Sequence, residues 1–268
     1  MPVISLMTDF GIRDGNVGVM KGVIWGICPG AQISDLSHMI GAQNVREASF
    51  TFGRSAPYFP ANSVHVVVVD PGVGTARRPM AARIGNQFYV GPDNGTISML
   101  LETAEREGWT CEFVHLTKPE YWREQVSYVF HGRDIFSPVA AHIASGVPLD
   151  ALGEVFDDPI RLELPRPVKT AHGWRGEIVH IDHFGNLATN IRLENMGAAL
   201  KSLQKIHLTI TKFEIHGMVN TFGERPVGDL VALMGSTGNL IISVVNGSAL
   251  AMTGVTVGTP LDLFMDED

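Results

Sequence analysis

Two aspartates in the first half of the sequence stand where an α/β protein binds its ligands. Asp9 follows the apolar run Val3 to Met7, and Asp70 follows the apolar run Val64 to Val69. Ligands of doubly wound sheets collect at the carboxyl ends of the strands, where the strand order reverses. A carboxylate there can accept the hydrogen bonds of a ribose diol or orient a water molecule. Equally, each aspartate can serve only as a turn residue, because Asp before Pro-Gly favours a turn.

The segment Phe130-His131-Gly132-Arg133-Asp134 holds the next candidate, His131, just before a predicted helix. A single histidine is either a structural residue or a catalyst, and a strand-to-helix junction favours the second role. We expect Arg133 and Asp134 to pair with each other or to cap the helix. Elsewhere, Gly72-Val73-Gly74 lets the backbone approach a ligand closely. It is not a dinucleotide fingerprint, because a strand rather than a helix follows it.

The densest polar cluster of the second half is His180-Ile181-Asp182-His183-Phe184-Gly185-Asn186. On a strand, His180 and Asp182 share one face, and imidazole with carboxylate suits a metal ion. Against a metal site, no HExxH motif and no companion ligand pair accompany the cluster. The pattern favours Asp182 and Asn186 as polar contacts in a ligand pocket, since an amide carries both a donor and an acceptor for an adenine edge.

The elements that must position these residues alternate between strands and helices in the first half. Apolar runs bounded by turn signals predict strands at Val3 to Met7, Ile33 to Leu36, Val64 to Val69, Met80 to Ile84, Gln87 to Val90 and Cys111 to Leu116. Helical spacing predicts helices at Asp14 to Ile27, Ala42 to Phe52, Thr96 to Arg106 and Ile135 to Ala144. Five of the six residues from Val64 to Val69 are valine, which indicates a strand buried on both faces of a parallel sheet.

A change of composition separates this half from the rest of the chain. Four prolines lie between residues 147 and 167, and after them we predict short strands only. These strands are Gly176 to Ile181, Leu187 to Ile191, Ile206 to Ile210, Leu230 to Met234, Leu240 to Val245 and Val257 to Phe264. Regular strands joined by glycine turns are typical of a small barrel or sandwich. The sequence therefore predicts an α/β domain with a central, largely parallel sheet over residues 1–165, and a smaller all-β, barrel-like domain over residues 166–268.

Composition and charge narrow the classes of function. The net charge of −8, without a basic stripe, argues against nucleic acid as a partner. The two cysteines, Cys28 and Cys111, form no disulfide or metal-ligand pattern, which suits a reducing compartment. No uncharged apolar stretch reaches the about 18 residues of a membrane span, and the N-terminus lacks the basic region of a signal peptide. We expect a cytoplasmic protein with no membrane attachment and no bound metal.

Seven segments together resemble one family, the S-adenosylmethionine hydroxide adenosyltransferases, which are relatives of the fluorinase and the chlorinase. The segments are Thr8-Asp9-Phe10-Gly11, Met20-Lys21-Gly22, Val69-Asp70-Pro71-Gly72-Val73-Gly74, Gly91-Pro92-Asp93-Asn94-Gly95, Phe130-His131-Gly132-Arg133-Asp134, Ile181-Asp182-His183-Phe184-Gly185-Asn186 and Ser236-Thr237-Gly238. Each segment alone is a weak signal, whereas seven in the right order along nearly the whole chain are specific.

The resemblance implies hydrolysis of S-adenosyl-L-methionine to adenosine and L-methionine, by a water or hydroxide that attacks C5′. It implies that Asp70, Arg77 and His131 position this nucleophile, and Arg77 is preferred to Arg78 on motif spacing only. Substrate contacts are implied at Asp9 (ribose hydroxyls), Asp182 (methionine ammonium), Asn186 (adenine), Ser236 (methionine carboxylate), Asn94, Phe130, Phe184 and Asn246. The resemblance also implies a homotrimer, with active sites between the N-terminal domain of one subunit and the C-terminal domain of its neighbour, and no cofactor.

Two positions separate the sequence from the halogenating relatives. Those proteins carry a tyrosine where Asp70 stands and a serine where Gly132 stands, so halide chemistry is not expected here. They also carry an arginine after the serine, where this chain has Thr237. The contact implied between Ser236 and the methionine carboxylate therefore lacks that neighbour.

Three hypotheses for the function follow. The first is the hydrolase that needs no metal. The second is a metal-dependent hydrolase built on His180, Asp182 and His183. The third is a non-catalytic module that binds adenosine or S-adenosylmethionine. Binding alone does not require the combination of Asp70, Arg77 and His131, and this speaks against the third.

Overall fold

The computed structural model describes residues 1–197 and 203–265. The chain separates into two compact units, Met1–Glu163 and Leu164–Asp268. None of the helices in the two described ranges is long and apolar enough to cross a membrane.

The first unit is built on a mixed sheet of seven strands. They are β1 (Val3–Thr8), β2 (Gln32–Ser37), β3 (Val64–Val68), β4 (Pro79–Ile84), β5 (Gln87–Pro92), β6 (Cys111–Leu116) and β7 (Gly153–Phe156). Their order across the sheet is β2-β1-β3-β5-β4-β6-β7. The first four strands in this order run parallel, and the pairs β5-β4, β4-β6 and β6-β7 are antiparallel.

Four helices cover the two faces of this sheet. They are α1 (Asn16–Ile27), α2 (Val45–Ser55), α3 (Ser98–Glu107) and α4 (Ser137–Ala144). Val66 and Val68 pack in a core with Met20 of α1 and with α4, whereas Val67 packs on the other face with Phe52 of α2 and with α3. All five residues of β3 are buried, as the valine run predicts.

The strand order reverses between β1 and β3. From β1 the chain crosses to β2 on one side, and the next crossover places β3 on the other side of β1. In open α/β sheets this reversal leaves a crevice at the carboxyl ends of the two strands. The loops after β1 and after β3 border that crevice.

Helix α2 begins three residues later than the sequence pattern predicts. The predicted start was Ala42, but Gln43 has a φ of +60°, a left-handed conformation that no helix contains. Asn44 is the N-cap, and its side chain accepts a hydrogen bond from the backbone N–H of Glu47 at 3.1 Å. Residues 42–44 therefore form a loop at the crevice rather than the first turn of the helix.

The second unit is an antiparallel sheet of eight strands. They are β8 (Val168–Thr170), β9 (Gly173–Ile181), β10 (Leu187–Arg192), β11 (Ile206–Ile210), β12 (Phe213–His216), β13 (Leu230–Met234), β14 (Asn239–Val244) and β15 (Pro260–Met265). The order is β12-β11-β15-β9-β10-β14-β13, with β8 paired to β9. The terminal strands β12 and β13 approach each other, so the sheet is a nearly closed barrel around an aliphatic core. The predicted fold class is confirmed for both units.

The expectation of strands only in this half was wrong. Two short helices are present, α5 (Leu193–Met196) and α6 (Ala249–Thr253). The Ser248 side chain caps the start of α6 by accepting from the N–H of Ala251 at 3.1 Å, and Gly254 ends it with a φ of +66°. The last strand begins at Pro260 rather than Val257, because residues 256–259 form a turn.

Candidate active site

The crevice between β1 and β3 carries both aspartates of the sequence analysis. Asp9 comes directly after β1, and Asp70 lies two residues after β3. The two strands are parallel neighbours, so their carboxyl ends lie side by side. Both aspartates line one pocket of about 250 Å³, together with Phe10, Ala42, Gln43, Val68, Val73, Val129, Phe130, His131 and Gly132.

A close backbone approach brings the loop after β3 to the segment before His131. Gly74 has a φ of +75°, and a Cβ built at this residue would lie 2.3 Å from the carbonyl oxygen of Tyr128. A side chain at position 74 would collide with that backbone, so the contact requires glycine. This approach places Asp70 and His131, which are far apart in the sequence, at one corner of the pocket.

The guanidinium group of Arg77 donates hydrogen bonds to both carboxylate oxygens of Asp70. The arginine Nε lies 2.9 Å from Oδ1 and 3.0 Å from Oδ2, and Nη2 also donates to Oδ2. The two side chains are only 9 % and 5 % exposed. A buried carboxylate needs such a partner, because an unpaired charge is costly to desolvate. One further atom of this arginine, Nη1, is buried without a protein acceptor among the described residues.

The neighbouring Arg78 serves a different part of the unit. Its Nε donates to Asp93 at 2.9 Å, and its Nη1 donates to Asp158 at 2.7 Å. Motif spacing alone preferred Arg77, and the side chains of the two adjacent arginines leave the backbone in different directions. The structure places Arg77 rather than Arg78 beside Asp70.

His131 completes the corner. Its Nδ1 accepts a hydrogen bond from Nη2 of Arg77 at 2.9 Å. Because arginine is always protonated, Nδ1 must present its lone pair, and the ring proton of a neutral imidazole then lies on Nε2. Burial and, after it, the charge of Arg77 lower the pKa of His131, against the opposing effects of Asp70 and Asp134. His131 is therefore neutral at pH 7 and is a donor through Nε2–H.

A π-helical turn, Gly132–Phe136, follows His131 and continues into α4. Asp134 within this turn is fully buried and accepts from Arg133 Nε at 2.6 Å and from the N–H of Ser127 at 2.9 Å. Burial raises the pKa of Asp134, but these hydrogen bonds outweigh burial and lower it. The predicted pairing of Arg133 with Asp134 is present, and it ties the segment before His131 to the helix. Such π-helical turns occur often at functional sites.

The other predicted site residues of the first unit differ in their contacts. Asp9 accepts from the N–H of Gln43 at 2.7 Å through Oδ2. Phe130 lines the pocket and packs edge-on against Phe10, with 5.8 Å between the ring centroids. Asn94 instead donates to the carbonyl oxygen of Val69 at 2.8 Å and accepts from Thr96, so its amide supports the loop after β3.

Asp182 and Asn186 form a compact turn after β9 in the second unit. Oδ1 of Asp182 accepts from the N–H groups of Phe184 and Asn186, both at 2.9 Å. Its Oδ2 accepts from the Asn186 side-chain amide at 2.8 Å. The Phe184 side chain between them is 73 % exposed. The hydrogen bonds between Asp182 and Asn186 thus fix the turn that exposes the Phe184 ring.

This turn does not have the geometry that the metal hypothesis needs. The strand β9 ends at Ile181, so Asp182 lies past it and does not share a strand face with His180. Three donors of its own turn already engage the Asp182 carboxylate. Within residues 1–197 and 203–265, no group of three or more histidine, cysteine or acidic side chains is arranged to hold a metal ion.

Ser236 and Asn246 lie in two exposed turns of the barrel. The first turn, residues 235–239, is closed by the Gly238 N–H on the Gly235 carbonyl at 3.0 Å. In the second, Asn246 has a φ of +51°, which asparagine tolerates better than most residues. These residues are accessible, and the described contacts assign them no partner within their unit.

Four lining residues lie outside the motifs singled out in the sequence: Ala42, Gln43, Val68 and Val129. None of them has a side chain of a type that acts as an acid, a base or a nucleophile. Gln43 acts through its backbone N–H, and the two valines through apolar surface. The sequence offered one signal for Gln43, its position just before the N-cap Asn44, where a backbone N–H is free to bind outside the helix. The prediction that the helix begins at Ala42 concealed this signal.

Comparisons with known proteins identify the family of the chain. Residues 4–153 match the N-terminal domain of the SAM hydroxide adenosyltransferases, and residues 176–262 match their C-terminal domain. The chain belongs to the SAM hydroxide adenosyltransferase family. A family relative from Salinispora arenicola, named (R)-S-adenosyl-L-methionine hydrolase, is 38% identical over 97% of this chain and 97% of its own.

Further members extend the comparison. A protein of the same name from Thermus thermophilus is 35% identical over 98% of this chain and 100% of its own length. A fluorinase from Nocardia brasiliensis is 30% identical over 93% and 92%. The crystal structure of an uncharacterized conserved protein from Thermotoga maritima superposes with a TM-score of 0.89 at 33% identity, covering 97% of this chain and 99% of that one.

Proposed function

We propose that this protein hydrolyses S-adenosyl-L-methionine to adenosine and L-methionine by attack of water on C5′. The observation that carries the proposal is the hydrogen-bonded set Asp70, Arg77 and His131, which borders a pocket in a member of this family. The names of the relatives from Salinispora arenicola and Thermus thermophilus support the substrate and the reaction.

The leaving group needs no proton from the protein. When the C5′–S bond breaks, its electron pair passes to sulfur, and the cationic sulfonium becomes a neutral thioether. The protein has to hold water in line behind C5′ and remove one proton from it. Orientation of this kind can contribute about 7–11 kcal/mol to lowering a barrier.

The three side chains divide this task by their hydrogen-bonding capacity. His131 donates through Nε2–H and therefore orients the oxygen of the nucleophile rather than taking its proton. Arg77 fixes the other two groups, because it donates both to the carboxylate of Asp70 and to Nδ1 of His131. Asp70 is the remaining acceptor, so we assign the proton to its carboxylate.

Asp9 is assigned to the ribose hydroxyls and Phe130 to packing beside the nucleoside, because both line the pocket with Asp70. We assign Asp182, Phe184, Asn186, Ser236 and Asn246 to the adenine and methionine ends of the substrate, and Asn94 to the support of the corner. The support for the first five is family membership together with their accessible turns. No cofactor is proposed, because the sulfonium substrate itself carries the leaving group.

We further propose a homotrimer in which a neighbouring copy completes each site. The pocket of about 250 Å³ is smaller than the roughly 300–1,000 Å³ of complete small-molecule sites. Its rim also exposes apolar side chains, since Tyr128 and Val129 are 81 % and 78 % exposed. Sedimentation velocity tests the assembly: a trimer is expected, and an active monomer would reject it. A cytoplasmic location is proposed on the two free cysteines, which suit a reducing compartment.

The reaction is tested by incubating the protein with S-adenosylmethionine in ¹⁸O-water and analysing the products by chromatography and mass spectrometry. We expect adenosine with labelled oxygen at C5′, equimolar methionine, and the same rate with and without a chelator. Unlabelled adenosine, or binding of the substrate without turnover, would reject hydrolysis. Loss of activity in the chelator would instead support the metal-dependent reaction.

A further inference from the structure

The loop after β2 holds the loop after β1 at three points. The Nδ1 atom of His38 lies 3.0 Å from Oγ1 of Thr8, and the carbonyl oxygen of His38 accepts from the N–H of Gly11 at 2.8 Å. The N–H of Gln43, in the same loop as His38, donates to Oδ2 of Asp9 at 2.7 Å. The backbone on both sides of Asp9 and the carboxylate itself are therefore fixed by residues 38–43.

The side-chain hydrogen bonds of this region converge on the carboxylate of Asp35. Nζ of Lys21 lies 2.6 Å from one oxygen of Asp35, and Nε2 of His38 lies 3.0 Å from the other. Burial raises the pKa of Asp35, but the hydrogen bonds from His38 and Lys21 outweigh burial and lower it. An ionised carboxylate only accepts, so Nε2 of His38 carries a proton, and Nδ1 of the neutral imidazole is then an acceptor. To this neutral ring the Thr8 hydroxyl donates, and its oxygen accepts from the N–H of Phe10 at 3.2 Å.

A hydroxyl, an imidazole and a carboxylate in series are also the parts of a nucleophilic triad. Two observations oppose that role here. Thr8 is fully buried, and its oxygen already accepts from the backbone of Phe10. The chain from Lys21 to Thr8 has the geometry of a support, and what it supports is the turn that carries Asp9.

We propose that His38 is a positioning residue whose side chain, through Thr8, holds Asp9 in place for the ribose hydroxyls of the substrate. This inference rests on the proposed function, which assigns Asp9 to the ribose. It gives Lys21, in the segment Met20-Lys21-Gly22, a defined part: the ammonium keeps Asp35 charged, and Asp35 selects the tautomer of His38. Since the ribose contact is made in both the bound and the reacting substrate, the effect falls on KM rather than on kcat.

The test combines variants of His38 with a substrate that lacks the ribose 2′-hydroxyl. His38→Ala is expected to raise KM for S-adenosylmethionine about tenfold, which corresponds to one lost hydrogen bond of a charged group, with little change in kcat. On the 2′-deoxy substrate the same substitution should raise KM less than threefold, because one of the two hydroxyl contacts that it weakens is already missing. Two effects that couple in this way share one interaction. His38→Asn, whose amide oxygen can accept from Thr8, should recover most of the affinity.

Controls separate positioning from general damage to the fold. Asp35→Asn removes a charge from a side chain that is 44 % exposed, and should raise KM for S-adenosylmethionine in the same direction by a smaller factor. His142→Ala, a partly buried histidine of α4, should leave KM unchanged on both substrates. If KM of the His38 and Asp35 variants rises by the same factor on both substrates, the inference is overturned. It is also overturned if KM of His38→Asn is as high as that of His38→Ala. Failure of the wild-type protein to hydrolyse S-adenosylmethionine would reject the proposed function instead.

Discussion

Two histidine clusters lie at opposite ends of the same pair of strands. His65, near the start of β3, is 1 % exposed; its Nδ1 lies 2.6 Å from the Ser5 hydroxyl of β1, and its Nε2 donates to Oε1 of Gln87 at 3.3 Å. His131 stands by the carboxyl ends of the strands, is partly buried and lines a pocket. Both clusters contain an imidazole bonded at long sequence range, so the residue types alone do not distinguish them.

The difference lies in the charge and access around each ring. Burial lowers the pKa of His65 to about 4, with a weaker opposing effect from Gln87 and with neutral partners at both nitrogens. His131 has one nitrogen fixed by the charged Arg77 and borders solvent-accessible space. A histidine with both nitrogens satisfied inside a sheet stabilises the fold, whereas one with a charged neighbour and a pocket is set up for chemistry.

The largest expected effect tests the corner at the carboxyl ends of the strands. Asp70→Ala removes the proposed proton acceptor and should lower kcat about 1,000-fold, within the range of general base catalysis. Binding of S-adenosylmethionine, measured by calorimetry, should change far less. Asp157→Ala, at an exposed position of the same unit, is the matched control and should keep full activity. Equal losses of binding and turnover in Asp70→Ala would reduce this residue to a structural one.

The second prediction concerns stability at the opposite end. An unfolded His65 titrates with a pKa of 6.5, and the folded one titrates at about 4, so the unfolded chain binds more protons between these values. The free energy of unfolding should therefore fall as the pH is lowered from 6.5 to 4, by about 3 kcal/mol at most. Stability above pH 6.5 keeps the full contribution.

Urea unfolding at several pH values measures this effect. His65→Gln should flatten the dependence, and the comparison with wild type removes the contributions of His131 and His142, whose pKa values burial also lowers. The activity of the folded variant at pH 8 should stay near that of wild type. An identical pH slope in both proteins would contradict the assignment.

The third prediction returns to the corner and its neighbouring arginines. Arg77→Gln should lower kcat/KM about 100-fold, because the fork on Asp70 and the donor to His131 are both lost. Removal of the positive charge should also raise the pKa of His131 and move the acid limb of the pH–rate profile to higher pH. In Arg78→Gln that limb should stay in place, since Arg78 pairs with Asp93 and Asp158. A shift of equal size in both variants would argue for a general change of charge.

The smallest expected effect is that of Ser5→Ala. It deletes the hydroxyl at 2.6 Å from His65 and leaves a buried ring nitrogen without its partner. The free energy of unfolding at pH 7 should fall by about 1–2 kcal/mol, with kcat unchanged. A drop in kcat at unchanged stability would show that the two ends of the strands are not separate in function.

Much of the fold and part of the site could be predicted from the sequence. The valine run identified the central strand because a strand buried on both faces carries no polar alternation. The motifs around Asp9, Asp70 and His131 identified residues that the structure places on one pocket. The short edge strands β7 and β12 had no such signal, since their burial depends on neighbours from distant parts of the chain.

The sequence by itself determined the order of the main strands and of the first four helices, the residue types at the carboxyl ends of β1 and β3, and the resemblance to the family by motif order. Tertiary structure alone decided that Arg77 donates to both oxygens of Asp70, that Gln43 holds Asp9, and that His131 is neutral while His65 is buried in the sheet. The physical reason is the separation along the chain of the residues that interact. Periodicity and turn chemistry act between near neighbours in the chain, whereas side-chain direction, burial and charge pairing depend on segments that meet only after folding.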